Sequence, residues 1–228
     1  EDLTDIADHW YIAEDKILHD PAIGRTLNII VHTLSEVNRA LSRGEYFWVD
    51  ILRDGILLYD LPNHALATPK PLTSIDAYEM AAGYFSEGFA EAGRRLEAFA
   101  FEFSKAENDK GWLKGAAFAL HQAVERLYGC YLLTNTFYFP RSHNIKFLRS
   151  LAEDREARLV EAWPRGTKLD RRRFEQLKRA YVEARYSPNY DISADDLEAL
   201  AASAANLRNI VARLCREGLA RLRSGAGL

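Results

Sequence analysis

Cysteine is nearly absent: Cys130 and Cys215 are the only two in 228 residues. They form no C-x-x-C pair and no Cys/His cluster with zinc spacing, which excludes a disulfide framework and a zinc-finger scaffold. Both fall in helical patterns and read as buried, reduced thiols, as expected of a cytoplasmic protein. No apolar run is long enough to form a membrane-spanning helix, and no signal-peptide pattern opens the chain. Neither sign of charge dominates: 30 basic residues face 33 acidic ones, for a formal net charge of -3. The chain as a whole is therefore not drawn to nucleic acid, and only local basic patches could be. P-loop, G-x-G-x-x-G, H-E-x-x-H, EF-hand and G-x-S-x-G patterns are all missing. Asp50 and Asp54 share a short helix, but without further carboxylates at a suitable spacing they make no two-metal site. No metal ligand is assigned.

Hydrophobic residues make up 48% of the chain and charged ones 28%, as in soluble globular domains. The pattern divides it in two. Residues 1–60 mix helix and strand signals. "LTDIADHWYIAEDKIL" sets Leu3, Ile6, Trp10, Ala13 and Ile17 at helical spacing. "LNIIVHT" (27–33) and "ILLYD" (56–60) read as strands. Between them lie two short helices, one with Ser35 as expected N-cap and Gly44 as stop, the other ending at Gly55. Two strands cannot bury both their faces, so this part reads as a small α/β segment of a larger sheet. The start at Glu1 rather than Met carries the expectation of a missing upstream segment. Residues 61–74, with three prolines, read as a linker.

Residues 75–228 are expected to be mainly α: an up-and-down bundle of four long helices and a short one. The helices are predicted over about 75–107, 111–135, 143–154, 170–185 and 193–223. The second is apolar on most sides and should be central. Ser142 is the expected N-cap of the third, and "SADD" from Ser193 a capping-box variant for the fifth.

Four places combine residues suited to chemistry. Arg185 lies near the end of the fourth helix, before Pro188, which stops it. There it either caps free carbonyls or holds a phosphate beside a stacking tyrosine. His121 and Glu125, four apart, share a helix face, as a base and its orienting carboxylate would. "FPRSHN" brings Arg141, His143 and Asn144 to a helix start, where free N–H groups favour an anion. "DRRRFEQLKR" crowds five cations around an apolar stripe, either a solvated face or a phosphate-binding one.

"AAFALHQAVERLYGCYLL", "FPRSHNIKFLRSL" and "FEQLKRAYVEARYSPNY", in that order, resemble the HEPN domain, over about residues 75–223. The N-terminal "LNIIVHTLSEVNRALSRGEYFWVDILRDGILLYD" resembles the closing segment of the nucleotidyltransferase-fold domain often joined to HEPN. That family's catalytic Gly-Ser turn and paired aspartates are not in this chain. The resemblance therefore implies no nucleotide transfer by the chain as given. It assigns Mg2+ and a nucleoside triphosphate only to a catalytic segment upstream of Glu1. Many HEPN domains are metal-independent ribonucleases whose signature pairs an arginine with a histidine a few residues on. Arg185 matches the arginine, and Tyr190 stands in the histidine's place. A tyrosine, with its reference pKa near 10, is a poor general base at neutral pH.

The resemblance thus implies a homodimeric module that binds a nucleotide or RNA without catalysis. Arg185 would hold the ligand, with Tyr190, His121, Glu125, His143 and Asn144 lining the groove. Its partner would be a nucleotidyltransferase domain or subunit, in one form as half of a toxin–antitoxin pair. Two alternatives stand beside it: a ribonuclease with a substitute acid–base group built around Arg185, or a full-length nucleotidyltransferase.

Overall fold

The computed structural model describes residues 3, 7–23, 29–140 and 142–228. Ile6, Leu27, Asn28 and Arg141, which entered the expectations above, lie outside the described residues. The chain divides into two compact units, residues 1–73 and 74–228.

The first unit contains α1 (Ala7–Leu18), α2 (Leu34–Arg43) and α3 (Tyr46–Asp54). Among its described residues there is no strand, which corrects the expected α/β character. Residues 29–33 and 56–60 are irregular. The β-rich composition was read correctly, but a strand exists only when a neighbour takes up its N–H and C=O groups. The start of α2 also differs from expectation. Thr33, not Ser35, is the N-cap: its hydroxyl accepts from Glu36 N–H, and the Glu36 carboxylate accepts from Thr33 N–H. The threonine-glutamate pair closes a reciprocal box that Ser35 has no partner for. Gly44 ends α2 at φ 72°, and a Cβ there would lie 2.6 Å from the Lys70 carbonyl oxygen. The proline-rich stretch is tied to α2 at two more points. Asn38 donates to the Ala65 carbonyl and accepts from Ala67 N–H. Asp50 and Asp54 both pair with Arg53 in solvent, which occupies the only carboxylates considered for metal.

The second unit is helical throughout its regular structure: α4 (Ser74–Lys105), α5 (Trp112–Thr136), α6 (Ile145–Glu153), a 3-10 segment (Ala157–Ala162), α7 (Lys168–Tyr186) and α8 (Ala194–Gly225). It forms the expected bundle of four long helices and a short one. α5 packs against α4, α6, α7 and α8 and is central, as its nearly all-round apolar surface demands. Gly88 lets α4 approach α5 closely, since a Cβ there would sit 3.1 Å from that of Cys130. Cys130 and Cys215 are free and buried. Trp163 donates to the Tyr128 hydroxyl at 2.7 Å inside the core, so both aromatic polar groups are satisfied. Among the described residues no helix is long and apolar enough to cross a membrane.

The caps set where α6 to α8 begin. Asn144, not Ser142, caps α6, accepting from Lys146 and Phe147 N–H. Ser142 sits two residues outside and accepts from Asn144 N–H. α7 starts with a reciprocal Thr167–Asp170 box. Ser193 caps α8 as expected, but the capping box stays half closed. The Asp196 carboxylate turns to Arg172 and Arg173 instead, clamping α8 to α7.

Candidate functional site

Three helices meet at Tyr181 on the C-terminal half of α7. The His143 imidazole, just before α6, stacks on its ring with centroids 4.1 Å apart and planes 15° apart. The Arg185 guanidinium, one turn on, lies 4.5 Å from the same ring centroid. It is also 4.8 Å from the Phe118 ring of α5 and 4.9 Å from Tyr186. Each such contact contributes about 0.5–1 kcal/mol at an exposed site, so together they hold the guanidinium in place. Its Nε donates to the Tyr181 carbonyl at 2.7 Å, which is the helix-capping role. One nitrogen makes that bond, and the exposed remainder of the fork faces solvent. Among the described residues no carboxylate pairs with Arg185.

Behind this platform the Glu125 carboxylate is 3% exposed. Its Oε2 accepts from His143 Nδ1 at 3.0 Å and from Gln122 Nε2 at 3.4 Å. A carboxylate only accepts, so the His143 proton sits on Nδ1. In the neutral ring Nε2 then keeps its lone pair, on a side chain that is 56% exposed. This is how an acidic partner fixes a histidine tautomer for proton transfer.

His121 lies deeper. It is fully buried, and neither ring nitrogen makes a hydrogen bond of good geometry. Its Nδ1 is 4.0 Å from Glu125 Oε2. Burial above all, with the electrostatic influence of His143 and Arg185, drives its pKa down to about 4, although the His143 backbone pulls the other way. His121 is therefore neutral at pH 7. A buried imidazole without good partners is destabilising by about 1–3 kcal/mol and marks a place shaped by something besides packing.

The remaining sequence candidates are placed elsewhere. Tyr190 is 3% exposed, its hydroxyl donates to the Gln176 carbonyl at 3.1 Å, and burial pushes its pKa above the usual tyrosine value. It borders a separate depression of about 560 Å³ with Lys110 and Lys114. Asn144 spends its side chain on the α6 cap, so the N–H groups of Lys146 and Phe147 are taken rather than offered to an anion. The cations of "DRRRFEQLKR" are largely engaged: Arg172 and Arg173 with Asp196, Lys178 with Glu175, Arg179 with Glu183. Arg171 donates to the Arg165 carbonyl. Sequence reasoning brought His121, Glu125, His143 and Arg185 forward, and these do converge. It missed Tyr181 and Phe118. Tyr181 stands four residues before Arg185 on one helix face, and that spacing was the available signal.

The class is thus a helical-bundle domain with an arginine and a carboxylate-held histidine on one shared tyrosine. The model of the HEPN domain matches residues 92–214, more than half of the chain, and the chain belongs to the HEPN family. No curated protein matches it.

Proposed function

We propose that the bundle binds a nucleotide or a single strand of RNA at Arg185. The observation that carries this reading is a guanidinium held over three rings and, among the described residues, left without a carboxylate. A fixed, unpaired arginine fork suits a phosphate, which it can grip with two parallel hydrogen bonds. Tyr186, 74% exposed beside it, offers a face for a base to stack on. Fluorescence anisotropy with labelled oligouridylate tests this. Arg185→Ala is expected to weaken binding at least tenfold, and Arg185→Lys to restore it only in part, since an ammonium cannot make the bidentate contact. Equal binding by wild type and Arg185→Ala would refute the reading.

The Glu125–His143 pair supports a second reading, RNA cleavage without metal. His143 Nε2 would take the proton of a ribose 2′-hydroxyl. The 2′-oxygen would attack the adjacent phosphorus, and the 5′-oxygen would leave, carrying away a proton from water. The products are a 2′,3′-cyclic phosphate and a 5′-hydroxyl. Arg185 would stabilise the charge on the phosphoryl oxygens. Cleavage in EDTA that is lost in both His143→Ala and Arg185→Ala would favour this reading, and binding without cleavage would favour the first.

The N-terminal unit we read as the closing segment of a nucleotidyltransferase-fold domain, which the bundle would serve from within one chain or from a partner. Mg2+ and a nucleoside triphosphate would belong to that domain's catalytic part. Support comes from Ile56–Tyr59, four consecutive exposed apolar residues in irregular backbone, outside any strand of the described residues, that a sheet edge could take up. The open setting of Arg185 suits a homodimer in which a second bundle covers it, in a cytoplasmic protein.

A further inference from the structure

Between α6, the stretch after the 3-10 segment and the first half of α7 lies a groove of about 610 Å³. Two contacts fix how these helices run. His143 stacks on Tyr181 at one end, and the Arg149 guanidinium lies 4.5 Å from the Phe174 ring centroid at the other. The helices are therefore antiparallel, and the seven residues from Tyr181 to Phe174 place the groove about 10 Å from the tyrosine. Its walls carry six cations, Lys146, Arg149, Arg165, Lys168, Arg171 and Arg172, against three carboxylates.

The ion pairs do not cancel this excess. Arg149 and Arg165 converge on the single carboxylate of Glu153. Arg172 and Arg173 share Asp196, where burial alone would raise the pKa and the two arginines with Ser193 hold it down. Arg171 donates to carbonyls, which carry no charge to offset it. Among the described residues, Lys146 and Lys168 meet no carboxylate within ion-pair distance. Like charges gathered in a concavity raise the local anion concentration more than the same charges on a convex face.

We infer that the α6–α7 groove is a phosphate track for single-stranded RNA, continuing the strand held at Arg185. This rests on the RNA reading above. The contacts are to backbone phosphates, so the track contributes affinity and salt dependence without sequence preference.

Fluorescein-labelled diuridylate and a 12-nucleotide oligouridylate, titrated into the full chain over a range of salt, test the track. Wild type is expected to bind the longer probe more tightly. The double variant Lys146→Ala/Lys168→Ala is expected to weaken the longer probe about tenfold and lower its salt slope by about 1.4, from 0.7 per lost phosphate contact. Diuridylate binding should stay unchanged, as should the circular-dichroism melt. Wild-type binding of both probes with no effect of the double variant on the longer one would overturn the track and leave the Arg185 reading standing. Equal weakening of both probes would overturn it as well. If wild type binds neither probe, the track and the Arg185 reading fall together.

Discussion

Sixteen residues of α5 are buried, whereas α3 of the N-terminal unit, an equally regular helix, buries none. Both are apolar enough to serve in a core. α3 carries Phe47, Trp48, Val49, Ile51 and Leu52, and in the first unit only Thr33, Ala40 and Leu41 are buried among the described residues. The contrast separates two things that a sequence pattern merges. Helix formation needs only local signals: a cap, a stop and a stretch free of breakers. Burial needs a partner of matching shape. The bundle contains its own partners, and the N-terminal unit carries apolar surface that it does not cover.

The comparison is broken most strongly inside α5. Leu127 is fully buried. Leu127→Ala should lower the unfolding free energy of the bundle by about 2–5 kcal/mol, from the lost transfer energy plus the cavity left behind. Chemical denaturation of the full chain measures it. A cost under about 1 kcal/mol would mean that the bundle core is loosely packed.

This difference also explains what the sequence could and could not reveal. The bundle was legible from its apolar periodicity and from some of its ends, Ser193 before α8 and Pro188 after α7; the Thr167–Asp170 box that starts α7 was overlooked. The shared face of His121 and Glu125 was legible from their spacing and Arg185 from its place at a corner, but the carboxylate turns to His143 rather than to His121. Tyr190 misled, because a position in sequence next to Arg185 says nothing of direction. Its ring turns into the core and its hydroxyl bonds to Gln176. The strands at 27–33 and 56–60 misled for the opposite reason. Their composition was right, but pairing is a tertiary property, and the described residues 29–33 and 56–60 have no strand to pair with. Tyr181 was overlooked: its spacing from Arg185 put both on one helix face, but its role as a shared platform exists only once α5, α6 and α7 have met.

A smaller effect sharpens the contrast through pH. The buried His121 has a folded pKa of about 4, against 6.5 for an ordinary histidine. Between these values the unfolded chain binds more protons than the folded one. His121 therefore leaves stability intact above pH 6.5 and withdraws it as pH falls toward 4. From pH 6.5 to 5 the loss is about 2 kcal/mol. Urea titrations at those two pH values should show it. In His121→Gln, where nothing titrates at that position, the difference should shrink by about that amount. An unchanged slope in His121→Gln would show that the ring takes up its proton as easily folded as unfolded.

The smallest expected effect bears most directly on the N-terminal unit. Leu58 is 92% exposed in irregular backbone. If it has no partner within the chain, Leu58→Ser removes apolar surface that water already touches, and the unfolding free energy should change by less than about 0.5 kcal/mol. A fully buried leucine would behave differently, losing about 1.5–3 kcal/mol of transfer energy when made polar. The two outcomes are far enough apart for a denaturation curve to separate them. Dilution adds a second axis. A loss in the buried range that disappears as protein concentration falls would place Leu58 in a contact between copies. A loss that persists at every concentration would mean that Ile56–Tyr59 packs within its own chain in solution, and the segment would no longer be open to an incoming sheet edge.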